Sequence, residues 1–419
     1  MSFKYEYKET EIGTIPSGWD IKSLGNSLYI KGRIGWKGLK KNEYLEDGDF
    51  RIINGANIVD NKIDWEKCGF ITEERYNESP EIMLQKDDIV MTKDGTIGKV
   101  AIVKTLDVKT TVASGLFVIR TLSEDIDVDY LYYYFNSNYF KGLVNSRIEG
   151  SVIPHLYQRD LIELKIPFPD IDEQKKISKL LRTLDDKIDL NNEMNKTLEE
   201  MAQALFKRWF VDFEFHNENG EPYKSSGGEM LESELGMIPK GWSISKLKDF
   251  TKFRSGKSIK QEFRDENGMF NIYGSNGIIG KTNEVLLSES CLIIGRVGAY
   301  CGSIQLSTLP CWVTDNALIA ITNNERYIPF LHRVLLKAAL REKAGGSAQP
   351  LINQSILNSI EFILPEKEIL DKYCRIIDNY NKIIVENEIE NKQLIELRDS
   401  LLPKLMSGEI RVEDIEANL

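Results

Sequence analysis

The feature that most constrains this chain is that it contains itself twice. Ile12-Gly13-Thr14-Ile15-Pro16-Ser17-Gly18-Trp19, followed by Leu24, returns as Leu235-Gly236-Met237-Ile238-Pro239-Lys240-Gly241-Trp242, followed by Leu247, with Trp19 and Trp242 223 positions apart. In each copy the proline fixes φ, the glycine permits a tight turn, and the tryptophan anchors a strand or loop against a core. A second landmark is a β-branched run broken by glycines. Ile89-Val90-Met91-Thr92-Lys93-Asp94-Gly95-Thr96-Ile97-Gly98-Lys99 corresponds to Leu292-Ile293-Ile294-Gly295-Arg296-Val297-Gly298-Ala299-Tyr300-Cys301-Gly302, at an offset of 203 between Gly95 and Gly298. The offset falls by about twenty residues, a loss that surface loops absorb. A third landmark pairs Gly150-Ser151-Val152-Ile153-Pro154-His155-Leu156 with Gly346-Ser347-Ala348-Gln349-Pro350-Leu351-Ile352, and the prolines closing the next run, Pro169 and Pro365, stand 196 apart. Each copy is therefore predicted to be a mixed α/β unit of short strands, one helix (about 128–147 and about 327–343) and a closing strand.

After each unit the hydrophobic period changes to three and a half. Ile177, Leu184, Asn191, Leu198 and Leu205 interleave with Leu181, Ile188, Asn195, Ala202 and Trp209. The second copy repeats this with Tyr373, Tyr380, Asn387, Leu394 and Leu401 against Ile377, Ile384, Asn391, Arg398 and Leu405. This is an a/d seam of four to five heptads, on helices of about 40 residues and roughly 60 Å. Asn191, Asn195, Asn387 and Asn391 fall at matching seam positions, where a polar residue costs stability and fixes register. An intramolecular coiled coil is expected; the plain alternative is an amphipathic helix packed on each unit. The fold class is thus α+β, with two similar mixed units in tandem joined by two long helices. The boundaries are 1–170 for the first unit, 171–212 for the central helix, 213–231 for a surface linker rich in turn formers, 232–365 for the second unit, 366–408 for the distal helix and 409–419 for a tail.

Composition narrows the chemistry. A length of 419 residues allows two to four domains at roughly 100–200 residues each, and no apolar run approaches the roughly 20 residues of a membrane span. Met1-Ser2-Phe3-Lys4-Tyr5-Glu6 has no signal-peptide core, so no membrane association is expected and the localisation is read as cytoplasmic. Five cysteines, none in a C-x-x-C pair, read as buried apolar groups in a reducing compartment, and three histidines without ligand spacing make a metal site improbable. The net charge of -11 argues against a uniformly basic coat. The deficit is uneven, however: -5 in 1–170, -4 in 171–231, +3 in 232–365 and -5 in 366–419. Cations gather in glycine-containing loops at equivalent places after the two Trp turns: Lys31, Arg33, Lys37, Lys40 and Lys41, then Arg254, Lys257 and Lys260. Such loops suit phosphate oxygens, whereas reading bases requires side chains that reach a groove. A solvated charged loop is the alternative for any one of these residues.

Three signatures fail. Ser255-Gly256-Lys257-Ser258 resembles the end of a P-loop, but Thr251 stands where the first glycine is required. Pro169-Asp170 with Glu173-Gln174-Lys175 has the letters of a nuclease site, yet Asp172 and Glu173 fit a helix N-terminus better. No Gly-x-Gly-x-x-Gly follows a strand, and no Asn/Asp-Pro-Pro-aromatic tetrapeptide occurs. No catalytic apparatus is therefore predicted.

The arrangement resembles the specificity subunits of type I restriction-modification enzymes, over about 12–412. Leu198-Glu199-Glu200-Met201-Ala202-Gln203-Ala204-Leu205-Phe206-Lys207-Arg208-Trp209-Phe210-Val211-Asp212-Phe213 looks like that family's central helical region, and Leu401-Leu402-Pro403-Lys404-Leu405-Met406-Ser407-Gly408-Glu409-Ile410 like its distal one. The second copy departs in having Ile369-Leu370 where the first has Glu173-Gln174. The resemblance implies two target-recognition domains, each reading one half of a split double-stranded DNA site, with the helices as an antiparallel spacer. It also implies two modification (methyltransferase) subunits and the restriction subunits as partners. S-adenosylmethionine, ATP and magnesium are expected only in those partners, with no cofactor in this chain. The eight loop cations would position phosphates. Groove contacts are expected from the hairpin turns (Lys93, Thr96, Lys99, Arg296, Tyr300) and from the closing motifs (Ser151, His155, Gln158, Arg159, Ser347, Gln349, Asn353), the alternative for the latter being a turn that only starts the last strand. Helix length would set the half-site gap, so an inserted heptad would lengthen it without changing either half-sequence. Two rivals are a bivalent coiled-coil scaffold or other stand-alone DNA-binding protein, and a nucleotide-dependent transferase using the Ser255-Gly256-Lys257-Ser258 loop.

Overall fold

A computed structural model of the chain describes residues 6–33, 38–147, 155–345 and 350–416. Two compact units emerge: 1–190 with 390–419, and 191–389. The boundaries cross both long helices, so the helices are shared between the units and form no separate body.

In the first unit, β1 (Leu28–Gly32), β2 (Ile89–Thr92), β3 (Val100–Ile102) and β4 (Leu116–Thr121) make an antiparallel sheet in the order β3-β2-β4-β1. In the register, Gly32 lies opposite Phe117, and Phe117 opposite Met91. β2, β3 and β4 are nearly continuous in burial because both sheet faces are covered there, while β1 at the edge alternates. A second sheet pairs Phe50–Ile53 with Lys109–Val112 in parallel. The opening and closing motifs meet, since Asp20–Ser23 pairs with Lys165–Phe168. One side of the core carries the tyrosine-rich helix Val128–Asn136 with Ile177, Leu181, Leu405 and Met406.

Helix α1 runs unbroken over Ile171–Phe210. Asp170 caps its start, its carboxylate accepting the Glu173 N–H at 2.9 Å. The second unit repeats the plan with β5 (Thr251–Ser255), β6 (Cys291–Gly295), β7 (Ile304–Ser307) and β8 (Ala317–Thr322), in the order β5-β8-β6-β7. Ser243–Lys246 pairs with Glu361–Leu364, and Phe270–Gly274 runs parallel to Cys311–Val313. Helix α2 spans Lys367–Ser407.

All twenty seam residues are buried or half-buried, as the heptads predict. Within the second unit the helix pairing is antiparallel: Phe206 and Phe210 meet Tyr373, while Asn387 Nδ2 donates to Asn195 Oδ1 at 2.8 Å. Within the first unit the sense is the same, with Lys187 bonded to Glu390 and Arg398 to Asp185. All five cysteines are free and buried, and no helix among the described residues is long and apolar enough to cross a membrane.

Two expectations are sharpened. The segment 213–231 is exposed over most of 216–231 but is fastened at its start, because Phe213 and Phe215 are buried and both contact Trp242, Phe215 stacking at 5.0 Å. Only these two aromatic residues depart from the expected surface segment. The single helix expected in each unit is also broken. Ser137 separates Val128–Asn136 from Asn138–Asn145, capping the latter by accepting the Phe140 N–H, and Ala339 at φ 47° ends Ile328–Lys337.

Candidate nucleic-acid interface

In the first unit the sheet brings Lys31, Lys93 and the closing segment to one end. Lys31 is on β1, and Lys93 follows β2; its N–H donates to the Gly115 carbonyl at 2.9 Å, and its own carbonyl accepts the Leu156 N–H at 2.9 Å. The closing segment is thereby tied to the hairpin turn, and His155 Nδ1 bonds the Asp94 carboxylate. Tyr157 packs edge-on against His155 with centroids 4.5 Å apart, and the Arg159 guanidinium lies 4.9 Å over the Tyr157 ring. Sequence reasoning passed over Tyr157, although an aromatic residue between His155 and Arg159 is a stacking signal.

The side chains differ in availability. Lys31, Lys40, Lys41 and Thr96 are exposed, and the Lys40 N–H is bonded to the Glu43 carboxylate at 2.7 Å. Lys93 is half-buried 5.2 Å from the Phe117 ring centre, and burial lowers its pKa. Lys99 donates to the Ile58 carbonyl at 3.2 Å, and Gln158 opens the short helix Gln158–Ile162. Arg33 is a correction. It is 2% exposed, its Nε donating to the Val112 carbonyl at 3.2 Å and its Nη1 to Ser79 Oγ at 3.4 Å. Desolvation lowers its pKa, with the Arg75 charge adding to the effect. It braces the end of β1 from inside and offers no surface charge to a phosphate. Lys37, Ser151, Ser347 and Gln349 lie outside the described residues.

The second unit builds the same end. Arg296 follows β6, its N–H donating to the Asn316 carbonyl at 3.1 Å and its carbonyl accepting the Ile352 N–H at 2.9 Å, the counterpart of the Lys93–Leu156 bond. Its Nε is buried without a partner among the described residues. Arg254, Lys257, Lys260 and Tyr300 are exposed. The loop that resembles a P-loop has a structural explanation. The Lys257 N–H donates to the Val313 carbonyl at 2.8 Å, and a Cβ on Gly256 would lie 2.2 Å from the Thr314 oxygen. The glycine is there for backbone contact. Asn353 serves as a helix cap, its Oδ1 accepting the Ile356 N–H at 2.9 Å.

Two further turns reach these ends and were not anticipated. Gly55 packs beside Thr92, and the Ser275 hydroxyl donates to the Asn316 carbonyl. The recurring Asn54-Gly55 and Asn276-Gly277 dipeptides, 222 apart, were the available signal.

Two units in tandem, each tying a glycine-punctuated turn at one sheet end to its closing segment, define a duplicated two-domain protein. The sequence pattern of the type I restriction modification DNA specificity domain matches residues 16–200 and 239–397, and the chain belongs to that family, the type I restriction-modification specificity subunits. It is 29% identical over 438 residues to the type I restriction enzyme MjaIX specificity subunit of Methanocaldococcus jannaschii, covering 98% of each chain. It is 26% identical over 350 residues to the HindI specificity subunit of Haemophilus influenzae, covering 65% of this chain and 74% of that one. The crystal structure of the type I restriction-modification S subunit from M. genitalium shares the fold, with a TM-score of 0.60 at 19% identity over 92% of this chain and 96% of that one.

Proposed function

We propose that the two units read the two halves of a split duplex target, and that this chain carries no catalysis of its own. Methyl transfer and cleavage then belong to modification and restriction subunits that it recruits, with S-adenosylmethionine, ATP and magnesium bound there. One observation carries the reading: the same strand-end junction, a turn carbonyl accepting the N–H of the closing segment, occurs in both units beside exposed cations. Phosphate positioning falls to Lys31, Lys40, Lys41, Arg254, Lys257 and Lys260. Base discrimination falls to the turns they flank.

The test is co-expression with the modification subunit and mapping of methylated bases. Two short half-sequences at a fixed gap are expected. Lys257→Ala should weaken binding to all sequences alike and lower the salt slope by about 0.9, whereas Arg296→Ala should relax one half-site only. Salt-insensitive or absent DNA affinity of the assembled complex would overturn the reading.

A further inference from the structure

The two ends differ most at the turn beside Asn316. In the second unit Ser275 and Asn276 join Phe270–Gly274 to Gly277–Thr282, with Gly274 opposite Gly277 and Tyr273 opposite Ile278. Just past the turn Ile278 and Ile279 are 57% and 41% exposed. The turn is held from two sides, because the Ser275 hydroxyl donates to the Asn316 carbonyl and the Ser303 hydroxyl donates to the Ser275 carbonyl at 2.7 Å. The Asn316 carbonyl also receives the Arg296 N–H, so Arg296 and the turn share one anchor. A Cβ on Gly295 would lie 2.2 Å from the Tyr300 oxygen and 3.0 Å from the Ser275 oxygen, which brings the hairpin turn and the isoleucine turn onto one strand end. Val297 and Tyr300 are exposed there too.

An apolar rim among cations needs a partner that is charged outside and apolar at one point. A duplex meets both requirements: its phosphates suit Arg254 and Lys257, and on the major-groove edge only thymine offers a methyl group among donors and acceptors. Isoleucine against any other edge would leave polar groups unpaired. The first unit has Asn54-Gly55-Ala56-Asn57 at its corresponding turn, with Asn54 Oδ1 accepting the Ala56 N–H and Asn57 Oδ1 accepting the Asn54 N–H, both at 2.9 Å. Asn54 to Asn57 carry no large apolar side chain; the exposed one nearest in sequence is the smaller Val59, on the strand that follows.

We propose that Ile278 and Ile279 are specificity-determining contacts of the second unit, seating the 5-methyl group of thymine in the half-site it reads. The inference rests on the proposed DNA-reading function. The experiment uses the full chain assembled with its modification subunits and duplexes in which each thymine of the methylated target is replaced in turn by uracil, which removes only the methyl group. About fourfold weaker binding is expected at one or two positions of one half-site, the worth of one seated methyl. The difference should vanish in the Ile278→Ala/Ile279→Ala double variant, whose thermal midpoint reports folding. The uracil arm needs no variant. Equal binding of uracil and thymine duplexes by the unaltered protein, a target whose two halves lack thymine, or an undiminished preference in the double variant overturns the proposal while leaving DNA reading intact. Impaired assembly with the preference retained also overturns it, marking the rim as a protein contact. Absence of any sequence-specific binding removes the DNA-reading function itself, and this inference with it.

Discussion

At the start of α1, in the first unit, Glu173 accepts the Trp19 indole N–H at 3.2 Å. Buried Gln174 accepts the Asp127 N–H at 2.9 Å and donates to the Pro169 and Asp125 carbonyls. At the start of α2, in the second unit, Ile369 and Leu370 occupy those positions and are buried in an apolar core. The same substitution recurs where the closing segment meets the hairpin: the Asp94–His155 bridge of one unit is Val297–Leu351 in the other. The opposing helix ends differ as well, with Phe206, Trp209 and Phe210 in the second unit and Leu402, Leu405 and Met406 in the first. One backbone plan thus tolerates polar, aliphatic or aromatic closure. What must be kept is the volume at each junction and the satisfaction of its hydrogen bonds.

Substitutions at equivalent places probe that difference. The largest effect is expected at the helix ends. Trp209→Ala removes a ring packed against Phe210 and Tyr373 and should cost about 4 kcal/mol, against about 3 kcal/mol for Leu405→Ala. Denaturant titrations that reversed the order would break the aromatic-versus-aliphatic contrast.

Acid should separate the units next. His332 stands where the first unit has Tyr132, and burial, reinforced by the Arg333 charge and opposed by Glu199, holds its pKa down to about 4. The unfolded chain takes up the proton from about pH 6.5 downward, while the folded unit resists until about 4. Stability is therefore full above pH 6.5 and falls between 6.5 and 4, by about 3 kcal/mol in all. His332→Tyr should remove this acid step. An unchanged profile of stability against pH would show that the step lies elsewhere.

The helix starts give a reciprocal pair of smaller effect. Gln174→Leu strands the Asp127 N–H and two carbonyls, and Leu370→Gln buries an amide in an apolar core. Each should cost about 2 kcal/mol. Thermal melts in which either exchange was neutral would show that these junctions are interchangeable and that the contrast has no energetic content.

These junctions mark how far the sequence could be read. Repeats and heptads are encoded in local spacing, so the two units, the seam and its asparagine layers were legible from residue positions, while the Asn195–Asn387 pairing came with the structure. Burial of Arg33 was not, because it depends on Val112 and Ser79, distant in sequence. Phe213 and Phe215 sit among turn formers and declare themselves only once Trp242 is beside them. The candidate interface was half legible. The hairpin and closing motifs announced themselves by repetition, while the turns at Asn54 and Ser275 arrive through parallel strand pairing that no local pattern records.

The smallest effect on stability should be the most informative about recognition. Asp94 and His155 are both about a third exposed, so their pairing should contribute under about 1 kcal/mol. Replacing them together, Asp94→Val with His155→Leu, installs the second unit's junction in the first. If the pair only fastens the closing segment, the Lys93–Leu156 hydrogen bond and the backbone bridge should keep the fold, and the methylated half-site should stay the same. If His155 and its stack with Tyr157 and Arg159 touch bases, the melting temperature should still change little while one half-site relaxes at a defined position. A base-contacting role for His155 requires the second result, confined to one half of the target. Methylation maps showing both halves unchanged would reduce the pair to a fastener, and maps in which both halves relaxed would break the assignment of one half-site to one unit.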